Sequence, residues 1–130
     1  MKKCTFLSLV PALALFLSVP HLARAEGTAP PEAARLLGKL IEAVKAESYD
    51  AFLADADANM KKQLSRQQFE GMCGMYTKPL KKGYTLDYFG QLKQRGMAIY
   101  VWKVAASDTP DETLVRLCVK DGKVCGVKVQ

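Results

Sequence analysis

The segment "LVRLCVKDGKVCGVKVQ", residues 114–130, consists of two alternating runs on either side of the dipeptide Asp121-Gly122. In each run an apolar side chain recurs at every second residue, which is the period of a β-strand. An Asp-Gly pair between two such runs is a strong signal for a tight hairpin turn. The sequence therefore predicts a β-hairpin with strands at 112–120 and 123–130.

Two further strands are predicted directly before this hairpin. The segments "YTLDYFGQLK" (84–93) and "MAIYVWKVAA" (97–106) also alternate, and turn-forming residues follow each of them at 94–96 and 107–111. Most residues of the second segment are apolar on both faces, which indicates a central strand with both faces at least partly covered. Short connections between four strands predict an antiparallel meander within 83–130.

The part of the chain before residue 83 has helical spacing instead. In "PEAARLLGKLIEAVKAES" (31–48) apolar residues recur every three or four positions, and Pro at the first helical position suits a helix start. The segment 48–65 predicts one or two short helices, with a break near Asp57–Asn59. Ser65 followed by Gln68 predicts a capping box that begins another helix. The apolar face of that helix comprises Phe69, Met72, Cys73 and Tyr76.

Three helical segments within 31–77, followed by an antiparallel sheet, define an α+β fold in which N-terminal helices pack on one face of the sheet. Gly71 and Gly74 weaken the helix that contains them. We expect these two glycines to mark a close approach to another element.

The stretch "AESYDAFLADADANMKKQLSRQQFEGM" (46–72) resembles the helical half of small exported proteins of the nuclear-transport-factor-2-like superfamily, the cystatin-like α+β cone. Its "Leu-Ser-x-x-Gln-Phe" helix start and the final strand "DGKVCGVKV" (121–129) carry the resemblance, with Gly126 as a bulge. The resemblance implies a curved four-stranded sheet wrapped over the helices, with a cavity at the wide end of the cone. The superfamily contains isomerases, dehydratases, cyclases and non-catalytic binding modules, so it implies a fold and not one function.

The first 25 residues have the pattern of a secretory signal peptide. The pattern comprises a positive start, an apolar run and a small-x-small cleavage site: Lys2 and Lys3, residues 5–19, and Ala23-Arg24-Ala25. Cleavage would leave a flexible leader at 26–30 and a single domain at 31–130. We expect a soluble protein exported to the periplasm or secreted, with no membrane attachment after cleavage.

The residues that are missing from the predicted mature chain exclude several kinds of chemistry. The only histidine, His21, lies in the signal, which rules out histidine bases, Ser-His and Cys-His pairs and histidine metal ligands. "DADAN" (55–59) lacks the later glycine and glutamate of a calcium loop, and the soft ligands of "GMCGMY" (71–76) lack the spacing of a copper site. We expect no metal and no cofactor. Without the signal the net charge is about +3, with no basic stripe for nucleic acid.

The sequence predicts a non-enzymatic module that binds a small apolar ligand or a protein partner, the latter including a second copy of the chain. Four strand aromatics are candidates for lining the cavity: Tyr84, Tyr88, Tyr100 and Trp102. No catalytic residue is assigned. The alternative is an isomerase or cyclase that uses a cavity aspartate with tyrosine donors. Asp87 and Tyr88 adjoin, but adjacent strand residues point to opposite faces.

The mature chain would hold three cysteines, so at least one stays unpaired in a monomer. Export permits disulfides. A two-residue turn at Asp121-Gly122 would set Cys118 opposite Cys125, within the span that a disulfide tolerates. A three-residue turn would shift the register and leave Cys73 as the competing partner. We predict a structural disulfide, with Cys118–Cys125 preferred over a bridge from Cys73 to a sheet cysteine.

Overall fold

A computed structural model describes residues 27–130 of the chain. The predicted signal peptide lies outside these residues, and the described part of the predicted leader, 27–30, has no regular secondary structure. Helices come first and strands follow, which confirms the α+β class. The elements are α1 Pro31–Lys45, α2 Tyr49–Leu53, α3 Ala58–Gln63, α4 Arg66–Lys82, β1 Tyr84–Gln94, β2 Met97–Ala106, β3 Glu112–Lys120 and β4 Lys123–Val129.

Local side-chain caps determine where the later helices begin. Ser48 caps α2, and Asp57 caps α3 by accepting the backbone N–H of Met60 at 2.8 Å. At α4, the Ser65 hydroxyl accepts the Gln68 N–H at 3.1 Å, while the Gln68 side chain accepts the Ser65 N–H at 2.9 Å. The predicted capping box is therefore confirmed, and it satisfies two backbone groups that a helix start leaves unpaired.

The helix α4 is longer than the sequence predicted. It continues past residue 77 to Lys82 and includes Pro79 within its last turns. A proline inside a helix removes a hydrogen bond and costs about 3 kcal/mol relative to alanine. Tyr76 and Leu80 pack against the core on the same side of this segment, and we infer that this burial offsets the cost.

The four strands form an antiparallel meander in the order β1-β2-β3-β4. Asp121 and Gly122 both have positive φ, 51° and 72°, as the favoured two-residue hairpin turns require. Two register shifts interrupt the ladders, one after Tyr88 in β1 and one at Cys125 in β4, which has no partner between Cys118 and Val119 of β3. Such bulges bend a strand and increase its twist.

The helices cover the face of the sheet that we call the inner face, which carries Trp102, Val104, Val115 and Leu117, all of them buried. Every residue of β2 is at least partly covered, as expected for a central strand. The apolar stripe of α1 packs onto this face: Leu36, Leu37, Leu40, Ile41 and Val44. The hydrophobic core thus lies between one layer of helices and the inner face of the sheet.

A short parallel bridge joins the connection between α2 and α3 to the start of β4. The Asp57 N–H donates to the Val124 carbonyl, and the Val124 N–H donates to the Asp55 carbonyl, both at 2.8 Å. The bridge is isolated and adds no strand to the sheet. It holds the tip of the last hairpin against the helical layer.

Gly71 and Gly74 do not lie against another element. A Cβ atom built at Gly71 or Gly74 would meet nothing within 4 Å, so the predicted close approach at these glycines is wrong. Both glycines are exposed on the outside of α4. None of the described helices has the length and hydropathy needed to cross a membrane.

Candidate functional site: an apolar cavity between the layers

A cavity of about 300 Å³ lies between the helices and the inner face of the sheet. This volume is at the lower end of the range for small-molecule sites in proteins. Three groups of apolar side chains form its wall. They come from α1 and α2 (Leu37, Leu40, Ile41, Val44, Phe52), from α4 (Met72, Met75, Tyr76, Pro79, Leu80) and from the sheet (Val104, Ala106, Val115, Val127, Val129).

The helical side of the cavity depends on the spacing of residues along two helices. In α1 the wall residues follow one another at intervals of one, three or four positions, so they lie on one face. In α4 they continue into the last turns, where Pro79 and Leu80 extend the wall. Because the sequence predicted a connection in that segment, it missed these residues. Pro79 and Leu80 lie three and four positions after Tyr76. This helical spacing was the signal from which they could have been predicted.

The polar part of the wall lies mainly on the connection between β2 and β3 and on the start of β3. Thr109, Asp111 and Thr113 line the cavity there. The backbone N–H of Asp111 donates to the Thr109 hydroxyl at 3.2 Å. Asp111 is exposed, whereas the two threonines are partly buried.

Two contacts tie this connection to the end of α4. The Ser107 N–H donates to the Gly83 carbonyl at 2.9 Å, and Lys82 forms an ion pair with Asp108 at 2.9 Å. The hydrogen bond from Lys82 lowers the pKa of Asp108 below its usual value. The polar segment is therefore held at the same end of the molecule as the last turn of α4.

The four aromatic residues that the sequence proposed for the cavity lie elsewhere on the sheet. The Trp102 ring lies 5.3 Å from Tyr88 and 6.0 Å from Tyr100, measured between ring centroids. Burial raises the pKa of Tyr88. Neither these three nor Tyr84 is among the wall residues described above. Their role in ligand binding stays a prediction, and their observed role is packing against the core.

Asp87, which the sequence considered for catalysis, lies on the outer face of the sheet, the face turned away from the helices. Its carboxylate forms an ion pair with Lys103 at 3.1 Å, and Lys103 also contacts Glu112 at 3.0 Å. Asp87 lies opposite Lys103 in the ladder between β1 and β2. Lys103 follows Trp102 in β2, and because Trp102 is on the inner face, Lys103 and Asp87 are on the outer face. It therefore points away from Tyr88, as the strand period predicted.

The predicted disulfide between Cys118 and Cys125 is confirmed, with the two Cα atoms 5.3 Å apart. The two-residue turn is confirmed as well, since Val119 faces Val124. Beyond that pair a bulge intervenes, and Gly126 rather than Cys125 is the partner of Cys118 in the ladder. The bulge accommodates Cys125 without preventing the bridge.

Cys73 is the free cysteine of the described chain, and its side chain is buried in α4. Burial raises the pKa of its thiol above the usual value. A raised pKa disfavours the thiolate, which is the nucleophilic form. Within residues 27–130, no three side chains of His, Cys, Asp or Glu cluster as a metal site would require.

No protein-family model matches the chain. No curated protein matches it either. Among solved structures, it is similar to a candidate ketosteroid isomerase from Kribbella flavida, with 16% identity, a TM-score of 0.41 and coverage of 75% of this chain and 76% of that one. It is also similar to an NTF2-like protein of unknown function from Cytophaga hutchinsonii, with 12% identity, a TM-score of 0.40 and coverage of 75% and 87%. No conclusion about this chain rests on these two likenesses.

Proposed function

We propose that this protein is an exported, non-enzymatic module that binds one small apolar molecule in the cavity between its two layers. The observation that carries the proposal is the wall itself, in which apolar side chains from three helices and three strands surround a space that they do not fill. Protein cores normally pack to the density of organic crystals. An unfilled apolar space forfeits dispersion contacts, and an apolar occupant would restore them.

The shape of the domain explains how the cavity stays open. The α1 stripe packs closely against α4, and the Thr77 hydroxyl of α4 donates to the Val44 carbonyl of α1 at 2.8 Å. Because the two helices are joined directly, they form one side of the cavity as a unit. The sheet forms the other side. A ligand would enter between two preformed walls, which lowers the entropic cost of binding.

The chemistry of the wall favours binding over proton transfer. An isomerase of the alternative kind needs a carboxylate held in an apolar environment next to a tyrosine. The wall contains one carboxylate, Asp111, and it is exposed to solvent. Asp87 is on the outer face in an ion pair. These positions support the binding function as the better proposal.

Export rests on two features. The N-terminal pattern is that of a signal peptide, and a structural disulfide belongs to an oxidising compartment. The Cys118–Cys125 bridge is compatible with such a location.

Titration with decanol, an uncharged chain with a small head group, tests the binding function. Backbone amide NMR shifts should change saturably with one site per chain, and the largest shifts should occur around Leu40, Val104 and Val115. The variant Ala106→Phe places a large ring inside the cavity and should abolish saturation. Ala105→Phe is the matched control, because Ala105 precedes it on the opposite face of β2.

The two variants make the result decisive. Binding that survives in Ala106→Phe, or that never saturates in the natural chain, contradicts the proposal. Amide spectra of each variant, recorded without ligand, establish that the fold is retained. If Ala106→Phe fails to fold, Val129→Phe fills the same cavity from β4.

A further inference from the structure

The apolar cavity has a single charged residue in its wall. Four of the wall residues have polar side chains: Tyr76, Thr109, Asp111 and Thr113. The last three lie close together, on the connection between β2 and β3 and at the start of β3. The cavity is therefore asymmetric, with apolar walls on the side of Phe52 and Val127 and a polar segment at Thr109–Thr113. A ligand that matches it would be apolar along most of its length and polar at one end.

The charged side chain at the polar end is acidic, since it belongs to Asp111. No lysine or arginine is among the wall residues. Lys82 already pairs with Asp108. Lys78, Lys81 and Lys82 line a separate groove beside Cys73 and Thr77, and none of the three is a wall residue of the cavity.

The Asp111 carboxylate has no ion pair within residues 27–130. The contact that involves this residue is made by its backbone N–H, which donates to the Thr109 hydroxyl. An ionised carboxylate accepts hydrogen bonds and donates none. The polar end of the cavity thus offers a carboxylate that has no ion-pair partner within residues 27–130.

We infer that the ligand is a small amphiphile whose apolar body ends in a protonated amine, with the amine placed against Asp111. The inference rests on the proposed binding function and specifies its ligand class. An amine donates hydrogen bonds and is attracted by the carboxylate. A fatty acid of the same length would set its own carboxylate against Asp111 and would be repelled.

Because Asp111 is exposed, solvent weakens the attraction, and exposed ion pairs contribute little. We therefore expect decylammonium to bind about three-fold more tightly than decanol, and decanoate to bind weaker than both. The decylammonium-to-decanoate ratio should be about ten-fold at low salt. It should fall at 1 M salt, where charges are screened over about 3 Å.

The test uses these three probes, all below their micelle concentrations, on the disulfide-bonded protein. Asp111→Asn removes the charge and keeps the shape, and it should bring the decylammonium-to-decanoate ratio to within about two-fold of unity. Glu112→Gln is the matched control, because it removes the same charge one residue along the chain, Glu112 is not a wall residue, and Lys103 keeps its ion pair with Asp87. The ratio should survive in this control.

The outcomes separate the two proposals. If decanol binds in the cavity but the decylammonium-to-decanoate ratio is near unity, or is the same in Asp111→Asn, the amine inference is overturned while the binding function stands. A ratio that collapses equally in Glu112→Gln overturns it too, because the effect would then belong to the net charge of this end of the molecule. If no probe binds in the cavity, the binding function itself fails.

Discussion

A single buried hydroxyl joins the two longest helices of this protein. The Thr77 side chain in α4 is 8% exposed and donates a hydrogen bond of 2.8 Å to the Val44 carbonyl near the end of α1. That carbonyl also accepts the Glu47 N–H at 3.0 Å. The bond holds α4 beside α1 at Val44, and Val44 also lines the cavity.

Replacing Thr77 by valine should destabilise the protein by about 1 kcal/mol. The change keeps the shape of the side chain and removes the donor, and a typical hydrogen bond contributes about that much to stability. Urea unfolding followed by circular dichroism measures the difference. Thr85→Val is the control, since Thr85 is exposed on β1. A loss no larger than that of the control would show that the bond contributes nothing.

The cysteines give a second prediction at the level of single residues. Non-reducing peptide mapping of protein produced in an oxidising compartment should yield, among residues 27–130, one bridged peptide pair, Cys118 with Cys125, and one free thiol at Cys73. Cys73 is 5% exposed and burial raises the pKa of its thiol, so it should resist iodoacetamide at pH 8 in the native protein and react after denaturation. Three alkylatable thiols would contradict the bridge, and rapid native alkylation would contradict the burial.

At the scale of the elements, α4 depends on its start. The reciprocal bonds of Ser65 and Gln68 satisfy backbone groups at the N-terminus of a helix that also contains Pro79. The last turns of that helix supply part of the cavity wall. The capping box therefore supports both the helix and the site.

Ser65→Ala should lower the free energy of unfolding by about 1 kcal/mol, because an alanine cannot accept the Gln68 N–H. Ser65→Thr keeps an acceptor hydroxyl and should lose much less. Thermal unfolding of both variants checks the difference, and about 1 kcal/mol corresponds to a shift of roughly 4–8 °C in a domain of this size. Equal losses in the two variants would exclude the capping bond as the cause.

The strand β1 contains no fully buried residue. Leu86, Phe89 and Leu92 are 38%, 54% and 50% exposed. Association with a protein partner, including a second copy of the chain through the sheet, stays a prediction.

At the scale of the whole molecule, the last hairpin closes the domain. Its disulfide crosses β3 and β4 with a sequence separation of 7, and the backbone bonds of Val124 tie the tip of the hairpin to the connection between α2 and α3. The bridge therefore restrains the segment through which the sheet meets the helices.

Reduction of the disulfide should destabilise the protein by about 2 kcal/mol, the loop-entropy value for a short loop. The melting temperature should fall by roughly 10 °C. Calorimetry with and without a phosphine reductant measures this. A Cys73→Ala variant should respond to the reductant by the same amount, because Cys73 is not in the bridge. An unchanged melting temperature in the reduced natural chain would contradict the prediction.

The class of the fold and most of its elements could be predicted from the sequence. The helical spacing before residue 83, the capping box at Ser65 and the Asp121-Gly122 turn all depend on residues close together in the chain. Their effects are local, because hydrogen bonds and side-chain periods act within a turn of helix or across a hairpin. The disulfide between Cys118 and Cys125 was predicted from the two-residue turn, although the register that the prediction assumed is changed by the bulge.

The length of α4, the bulge that sets Gly126 opposite Cys118, and the lining of the cavity do not follow from the sequence alone. Each of these depends on contacts between layers that are distant in sequence. The helix continues past Pro79 and Leu80 packs against the core, although a proline disfavours a helix interior. The strand aromatics Tyr84, Tyr88, Tyr100 and Trp102 belong to the packed core and not to the cavity wall described above, and their part in ligand binding stays a prediction. The position of Asp111 at the polar end likewise follows from where a connecting loop lies against α4, and sequence spacing does not encode that distance.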